Sequence, residues 1–153
     1  MLKRSAGILA YKIEGGICKV LLCHFGGPYW EGIDKGAWSI PKGELNINEN
    51  ILTAAKREFN EETNLSIKGE LKYLSSRKVS HRKLAIIFYL NEDFDLSNCS
   101  SNTFKLEWPK DSGKIKDFPE MDKYEWMDIA KAKDMILSNQ LFFVERLEEV
   151  LKG

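Results

Sequence analysis

The sequence is short of cysteine, has no surplus of either charge and no long apolar run, and each shortage removes a class of protein. Its three cysteines, Cys18, Cys23 and Cys99, make no disulfide scaffold; a sparse, odd set reads as reduced thiols in a cytoplasmic protein. On a strand, Cys18 and Cys23 point to opposite faces. No Cys/His spacing resembles a zinc site. Lys plus Arg and Asp plus Glu number 23 each, so there is no electrostatic footprint for duplex nucleic acid or an anionic membrane. A small charged ligand needs only a local field and remains open. The apolar run 8–11 is broken by Lys12 and is too short for a secretory or membrane-spanning segment. There is no repeat and no low-complexity linker. What remains is ordinary globular composition, 43% hydrophobic and 30% charged, in a length that suits one domain, 1–153, of two or three layers.

Residues 4–13 and 18–25 are apolar and β-prone, and Glu14-Gly15-Gly16 between them predicts a hairpin. Residues 26–36 form a glycine- and aromatic-rich loop. Trp38-Ser39-Ile40-Pro41 reads as a short extended piece, because residues before proline avoid the helical region. A helix follows, with Asn46 or Asn48 as its cap and Glu49 in its first turn. Ile51, Leu52, Ala55 and Phe59 share its apolar face, and Asn64 suits a left-handed residue at its end. Residues 71–79 and 84–91 read as strands, as do 104–108 and 124–127, with a polar loop over 93–102. The last 25 or so residues read as helix with a stripe of Leu141, Val144, Leu147 and Leu151. Strands around one central helix, with a second at the end, predict mixed α/β layers.

The most informative stretch is 43–65. Glu58, Glu61 and Glu62 fall on the last turn of the expected helix, where carboxylates are out of place. The helix dipole favours cations there by a few tenths to about 1 kcal/mol per charge, and like charges one turn apart cost a few tenths more. A segment that tolerates both has something positive to hold, and a divalent metal is the first candidate. Glu58 and Glu62 face the same way, with Glu61 rotated toward Arg57. This edge borders the apolar stripe, which puts the carboxylates half-buried at the lip of the core, where unpaired charge is costly. Hard oxygen donors suit Mg²⁺ or Mn²⁺. Ala54 is small enough to leave a ligand room. A Glu-Glu pair standing alone would instead read as a solvated helix face.

Gly43, Glu49, Arg57, Glu58, Phe59, Glu61, Glu62 and Leu65 together match the box of the Nudix hydrolase family, G-x5-E-x7-R-E-U-x-E-E-x-G-U with U apolar. Asn64 stands where the family has glycine, a mild departure, since both accept positive φ. The lead-in Trp38 to Glu44, with the stretch Glu120 to Trp126, resembles diadenosine polyphosphate hydrolases of the family. A bacterial group of NTP pyrophosphohydrolases is the closer match over the whole chain. The resemblance implies a Nudix-like α/β/α sandwich with a mixed β-sheet, a central catalytic helix and a C-terminal helix. It also implies an enzyme that hydrolyses a nucleoside diphosphate linked to another group, by attack of water at phosphorus.

By that resemblance Glu58 and Glu62 are the main metal ligands, and Glu61 binds metal directly or through water and can serve as base. Arg57 pairs with Glu49 and steadies the loop before the helix. Gly43 shapes that loop. Glu120 matches a further catalytic or metal-binding carboxylate of the dinucleotide hydrolases, with Glu107 and Glu125 as rivals. Lys42 meets phosphate as a point charge. Arg4, Arg77, His81, Arg82 and Lys83 are further candidates with nothing to choose among them. Of Tyr29, Trp30 and Trp38, any could stack on a base, with core packing the better reading for at least two. The expected substrate is a nucleoside di- or triphosphate or a dinucleoside polyphosphate, a small-molecule partner, with oligomeric state open. The alternatives are an ADP-ribose hydrolase, an RNA 5′-end pyrophosphohydrolase, and a non-catalytic nucleotide sensor. The sensor would be expected to have lost a box glutamate, and this chain keeps them all.

Overall fold

The computed structural model describes residues 2–153. β1 (Lys3–Glu14) and β2 (Ile17–Phe25) form the expected hairpin. Gly15 and Gly16 supply the two positive φ values that its tight turn needs. β1 and β2 pair only near that turn, from Tyr11↔Val20 to Glu14↔Ile17. Farther along they part. β4 (Lys42–Glu44) takes the edge of β1, and β3 (Trp38–Ser39) takes the edge of β2. This fork in the sheet is where the candidate site lies.

β5 (Lys72–Ser80) and β6 (Lys83–Asn91) form a second hairpin, and β6 runs parallel to β1 from Lys3↔Lys83 to Tyr11↔Asn91. All other strand pairings are antiparallel, so the sheet is mixed. β7 (Thr103–Glu107) and β8 (Ile115–Pro119) make a separate two-stranded ribbon, and β9 (Met121–Asp128) returns to pair with β2.

Alternation along β1 and β2 sends side chains to two cores. On one face, Ala6, Ile8 and Leu21 meet Ala55 and Phe59 of α1 (Ile51–Thr63). On the other, Leu9, Val20 and Leu22 meet Ala132 of α2 (Ile129–Met135) and Phe143, Val144 and Leu147 of α3 (Leu141–Lys152). The result is the α/β/α sandwich expected. Among the described residues no helix is long and apolar enough to cross a membrane.

Several local expectations need correction. The cap of α1 is Asn50, whose side chain accepts from the Leu52 and Thr53 amides at 2.9 and 3.3 Å. Asn48 turns the chain with φ 62°, and Glu49 therefore stays outside the helix, free to meet Arg57. Leu52 is 43% exposed and does not share the buried face. Ala54 is fully buried in the core, so it opens no room beside the acids. The C-terminal stretch is not one helix. Asp128 caps α2 through the Lys131 amide at 2.8 Å, Ile136 is extended, and a single 3₁₀ turn (Ser138–Gln140) precedes α3. Leu141 packs only partly against the core and Leu151 is exposed, while Phe143 takes the stripe's inner position. β4 and β8 lie outside every strand expected from the sequence.

His24 was not singled out by the sequence, yet it organises the glycine-rich loop. Its buried ring meets Asp122 Oδ1 through Nδ1 at 2.7 Å and the Ile33 carbonyl through Nε2 at 2.6 Å. One side chain thus ties the loop to the strand that follows Glu120.

Candidate active site

The end of α1 is held from three directions. Asn64 adopts φ 63°, as its position predicted, and its amide bonds the Asn60 carbonyl at 2.7 Å. The other last-turn carbonyls also find partners. Glu61 O accepts from the Asn102 amide at 2.9 Å, Thr63 O from the Ser100 amide at 3.2 Å, and Glu62 O from Tyr124 Oη at 2.6 Å. Asn102 in turn accepts from the Glu120 amide at 2.9 Å. The backbone of Glu120 is thereby one residue away from that of Glu61 in the bonding network. Neither Asn102 nor Tyr124 was assigned a role from the sequence, because the carbonyls they satisfy are invisible there.

Arg57 fills all five of its donor positions. It grips Glu49 in a fork, Nε to Oε2 at 2.8 Å and Nη2 to Oε1 at 2.9 Å. It also donates to Glu58 Oε1 at 2.6 Å, Glu61 Oε2 at 3.0 Å and the Glu44 carbonyl at 3.0 Å. The guanidinium, with the Asn46 amide, holds the Glu49 carboxyl down at about 2. Lysine cannot copy this planar fork. We expect Arg57→Lys to lower stability by about 2 kcal/mol, measured by urea unfolding, with the loop 44–49 loosened in hydrogen exchange.

Gly43 lies where any side chain would strike the Glu58 carboxylate. The missing Cβ is what lets β4 pass over the acidic edge. Glu58 is buried, and burial pushes its carboxyl up against the pull of Arg57. Glu62 is the anomaly. Its Oε2 is buried and has no hydrogen-bond partner among the described residues. Burial first, then Glu120, Glu58 and Glu61, push its carboxyl up to about 8.

Glu62 and Glu120 line one cavity of about 370 Å³ together with Lys42, Lys83, Phe25 and Met121. The Glu120 carboxylate has no hydrogen bond or ion pair among the described residues, and burial raises its pKa. Its rivals are occupied elsewhere. Glu107 accepts from the Asp111 and Gly113 amides at 3.2 and 3.1 Å in the β7–β8 turn, and Glu125 pairs with Lys131. Of the aromatic candidates, Trp38 is buried with its indole on Asp34 at 2.8 Å, and Trp30 stacks on Phe25 at 4.7 Å. Tyr29 is exposed against the edge of Trp108.

The donor chemistry suits a hard cation: several carboxylate oxygens, one of them buried and bare. Arg57, however, also holds Glu58 and Glu61. No three carboxylate, imidazole or thiol groups among the described residues surround a common point. The guanidinium engages one oxygen of each, Glu58 Oε1 and Glu61 Oε2, and leaves the other to a ligand.

Residues 1–147 match the family model described as NUDIX domain. No curated protein matches the sequence. Among solved structures, the NUDIX domain of Shewanella oneidensis NrtR complexed with ADP ribose is similar at a TM-score of 0.71 and 14% identity, covering 99% of this chain and 89% of that one. A C. elegans Ap4A hydrolase in a binary complex is similar at a TM-score of 0.64 and 18% identity, covering 99% of each chain. A mutT/nudix family protein from Listeria innocua gives 0.64 and 16%, covering 98% and 94%. At such identities the likeness is one of fold.

Proposed function

The chain belongs to the NUDIX family of pyrophosphohydrolases, and from that premise we propose that it cleaves a nucleoside polyphosphate, a nucleoside triphosphate or a dinucleoside polyphosphate, within the phosphate chain. Glu58 and Glu62 would hold a divalent cation, Mg²⁺ or Mn²⁺, with Glu61 as a further donor directly or through water. A bound ion supplies Lewis acidity that draws off phosphate charge. Lys42, at the wall of the same cavity, meets a phosphate oxygen as a point charge. Glu120 takes the proton from the attacking water. Its carboxylate is free of partners, whereas Glu61 is engaged by Arg57, and a raised pKa brings a carboxylate nearer the working range of a general base. Arg57 and Glu49 keep the acidic turn in place.

One observation carries this reading: the bare, buried oxygen of Glu62 in a cavity shared with Glu120 and Lys42. A charge stripped of water without a partner is costly, and an acid left so at a helix end is there to be used. A second reading, hydrolysis of ADP-ribose, is favoured by the likeness to a domain complexed with ADP ribose. A panel of ATP, diadenosine tetraphosphate, ADP-ribose and 5′-triphosphorylated RNA in Mg²⁺, with products resolved by chromatography, tests both. We expect turnover of a polyphosphate to shorter phosphorylated products. Tight binding of every nucleotide with no turnover would replace the enzyme with a sensor.

A further inference from the structure

β9 carries one residue more than its partner where it meets the end of β2. His24 pairs with Lys123 and Phe25 pairs with Met121, so Asp122 is left without a partner as a bulge. An extra residue resets the alternation of side chains, so everything before it in the strand changes face. Tyr124 and Trp126 lie on the α1 side of the sheet. In a regular strand Asp122 and Glu120 would follow them to that side. With the bulge, Asp122 instead reaches His24, whose ring meets the edge of Trp38 at 5.2 Å in the opposite core. Phe25 then lies opposite Met121, and the Gly26 amide donates to the Glu120 carbonyl at 2.9 Å. The placing of Glu120 in the cavity therefore depends on a register that Asp122 creates.

His24 holds that bulge. The Ile33 carbonyl can only accept, so Nε2 carries a hydrogen. An ionised carboxylate also only accepts, so a proton lies between Nδ1 and Asp122 Oδ1. The buried ring thus uses both of its edges, one on the glycine-rich loop and one on the bulge. A polar ring in a core strand is costly unless its partners are fixed, and an apolar residue would pack there without that demand. Ser101 bonds the Met121 amide and carbonyl at 2.9 and 3.2 Å, which fixes the backbone beside the bulge. Among the described residues only His24 bonds the Asp122 side chain.

We propose that His24 is a positioning residue for Glu120: by holding Asp122 in the bulge, it sets the register that presents Glu120 to the cavity beside Glu62, and its second bond separately anchors the glycine-rich loop. This rests on the reading of Glu120 as the base. His24 touches neither substrate nor ion and acts on the reaction through Asp122.

Amide side chains separate the two bonds. The amide nitrogen of asparagine falls near the place of Nδ1, and that of glutamine near Nε2. His24→Gln should lose the Asp122 bond and lower kcat roughly hundredfold, with KM and Mn²⁺ affinity nearly unchanged. His24→Asn should keep that bond and most of the rate. Asp122→Ala, at a side chain one-third exposed, should repeat the loss without disturbing the core. Asp122→Asn should recover most of it, because its amide can donate to Nδ1 of a neutral ring while Nε2 still donates to Ile33. Hydrogen exchange tests the bulge apart from catalysis. The Gly26 and Glu120 amides should exchange faster in Asp122→Ala and not in Asp122→Asn. Wild-type kcat in Asp122→Ala, equal losses in His24→Gln and His24→Asn, or Asp122→Asn as damaging as Asp122→Ala would overturn the proposal. So would a loss of Mn²⁺ binding in step with kcat. Faster exchange in Asp122→Ala, in a protein that turns over no nucleotide, would sink the base reading and leave the positioning by His24 standing. Turnover by wild type with exchange unchanged in Asp122→Ala would do the reverse.

Discussion

We expect Glu62→Gln to lower turnover by about 10³-fold, the scale of several kcal/mol of lost charge stabilisation, and to leave the protein folded. Glutamine keeps the shape of the side chain and removes its charge. No bond is lost at Oε2, because that atom has no partner. Glutamine also removes the cost of either protonating the side chain on folding or burying its charge beside Glu120, Glu58 and Glu61. Activity and stability therefore move in different directions, which a merely structural role would not produce. Steady-state assays with saturating Mg²⁺ and thermal melts in chelator read the two effects. Near-full activity in the variant would remove Glu62 from the reaction.

The second large effect is in the stability of the metal-free protein. In the unfolded chain Glu62 ionises near its ordinary value of 4.5, and in the folded chain it keeps its proton to about 8. Between those values the folded state binds more protons, so stability falls as the pH rises and levels off above about 8. The fall is on the order of 5 kcal/mol, at about 1.4 kcal/mol for each of the three and a half pH units between the two values. Mg²⁺ should reverse it, adding about 2.7 kcal/mol when present at a hundredfold excess over its Kd. The gain should be larger at pH 8 than at pH 5.5, where the ion competes with the proton. Glu62→Gln should flatten the pH profile in chelator and blunt the response to Mg²⁺. Urea unfolding at several pH values, with and without Mg²⁺, checks all three. A wild-type profile that rises from pH 5 to pH 8 in chelator would mean that Glu62 is solvated and ordinary.

The acidic turn was legible because its chemistry demands fixed residue types at fixed offsets, and Asn64 marked the end of the helix by conformational preference alone. Other parts were illegible for identifiable reasons. Asn46 and Asn48 both suit a cap by residue type, yet Asn50 takes the position. The choice of Asn50 depends on Glu49 reaching Arg57, a contact between segments. β4 is three residues long and carries no alternation to detect. The break between α2 and α3 falls at Ile136 and Leu137, two helix-compatible residues. It is fixed instead by tertiary pairing, the Leu137 amide bonding the Trp38 carbonyl at 2.8 Å. Gln140 then buries its amide against Ser39 and the Ile40 backbone. The meeting of Lys42 and Lys83 at the cavity follows from the register of β4 and β6 on β1, which no local pattern encodes. Glu120 was legible only by resemblance, and its placement beside Glu62 comes from the bonds that tie Asn102 to both segments.

The most direct test of the account is to locate a manganese ion by anomalous scattering in crystals grown with Mn²⁺. The account predicts a peak within bonding distance of Glu62 and Glu58 carboxylate oxygens. A protein saturated with Mn²⁺ that shows no peak there would contradict it.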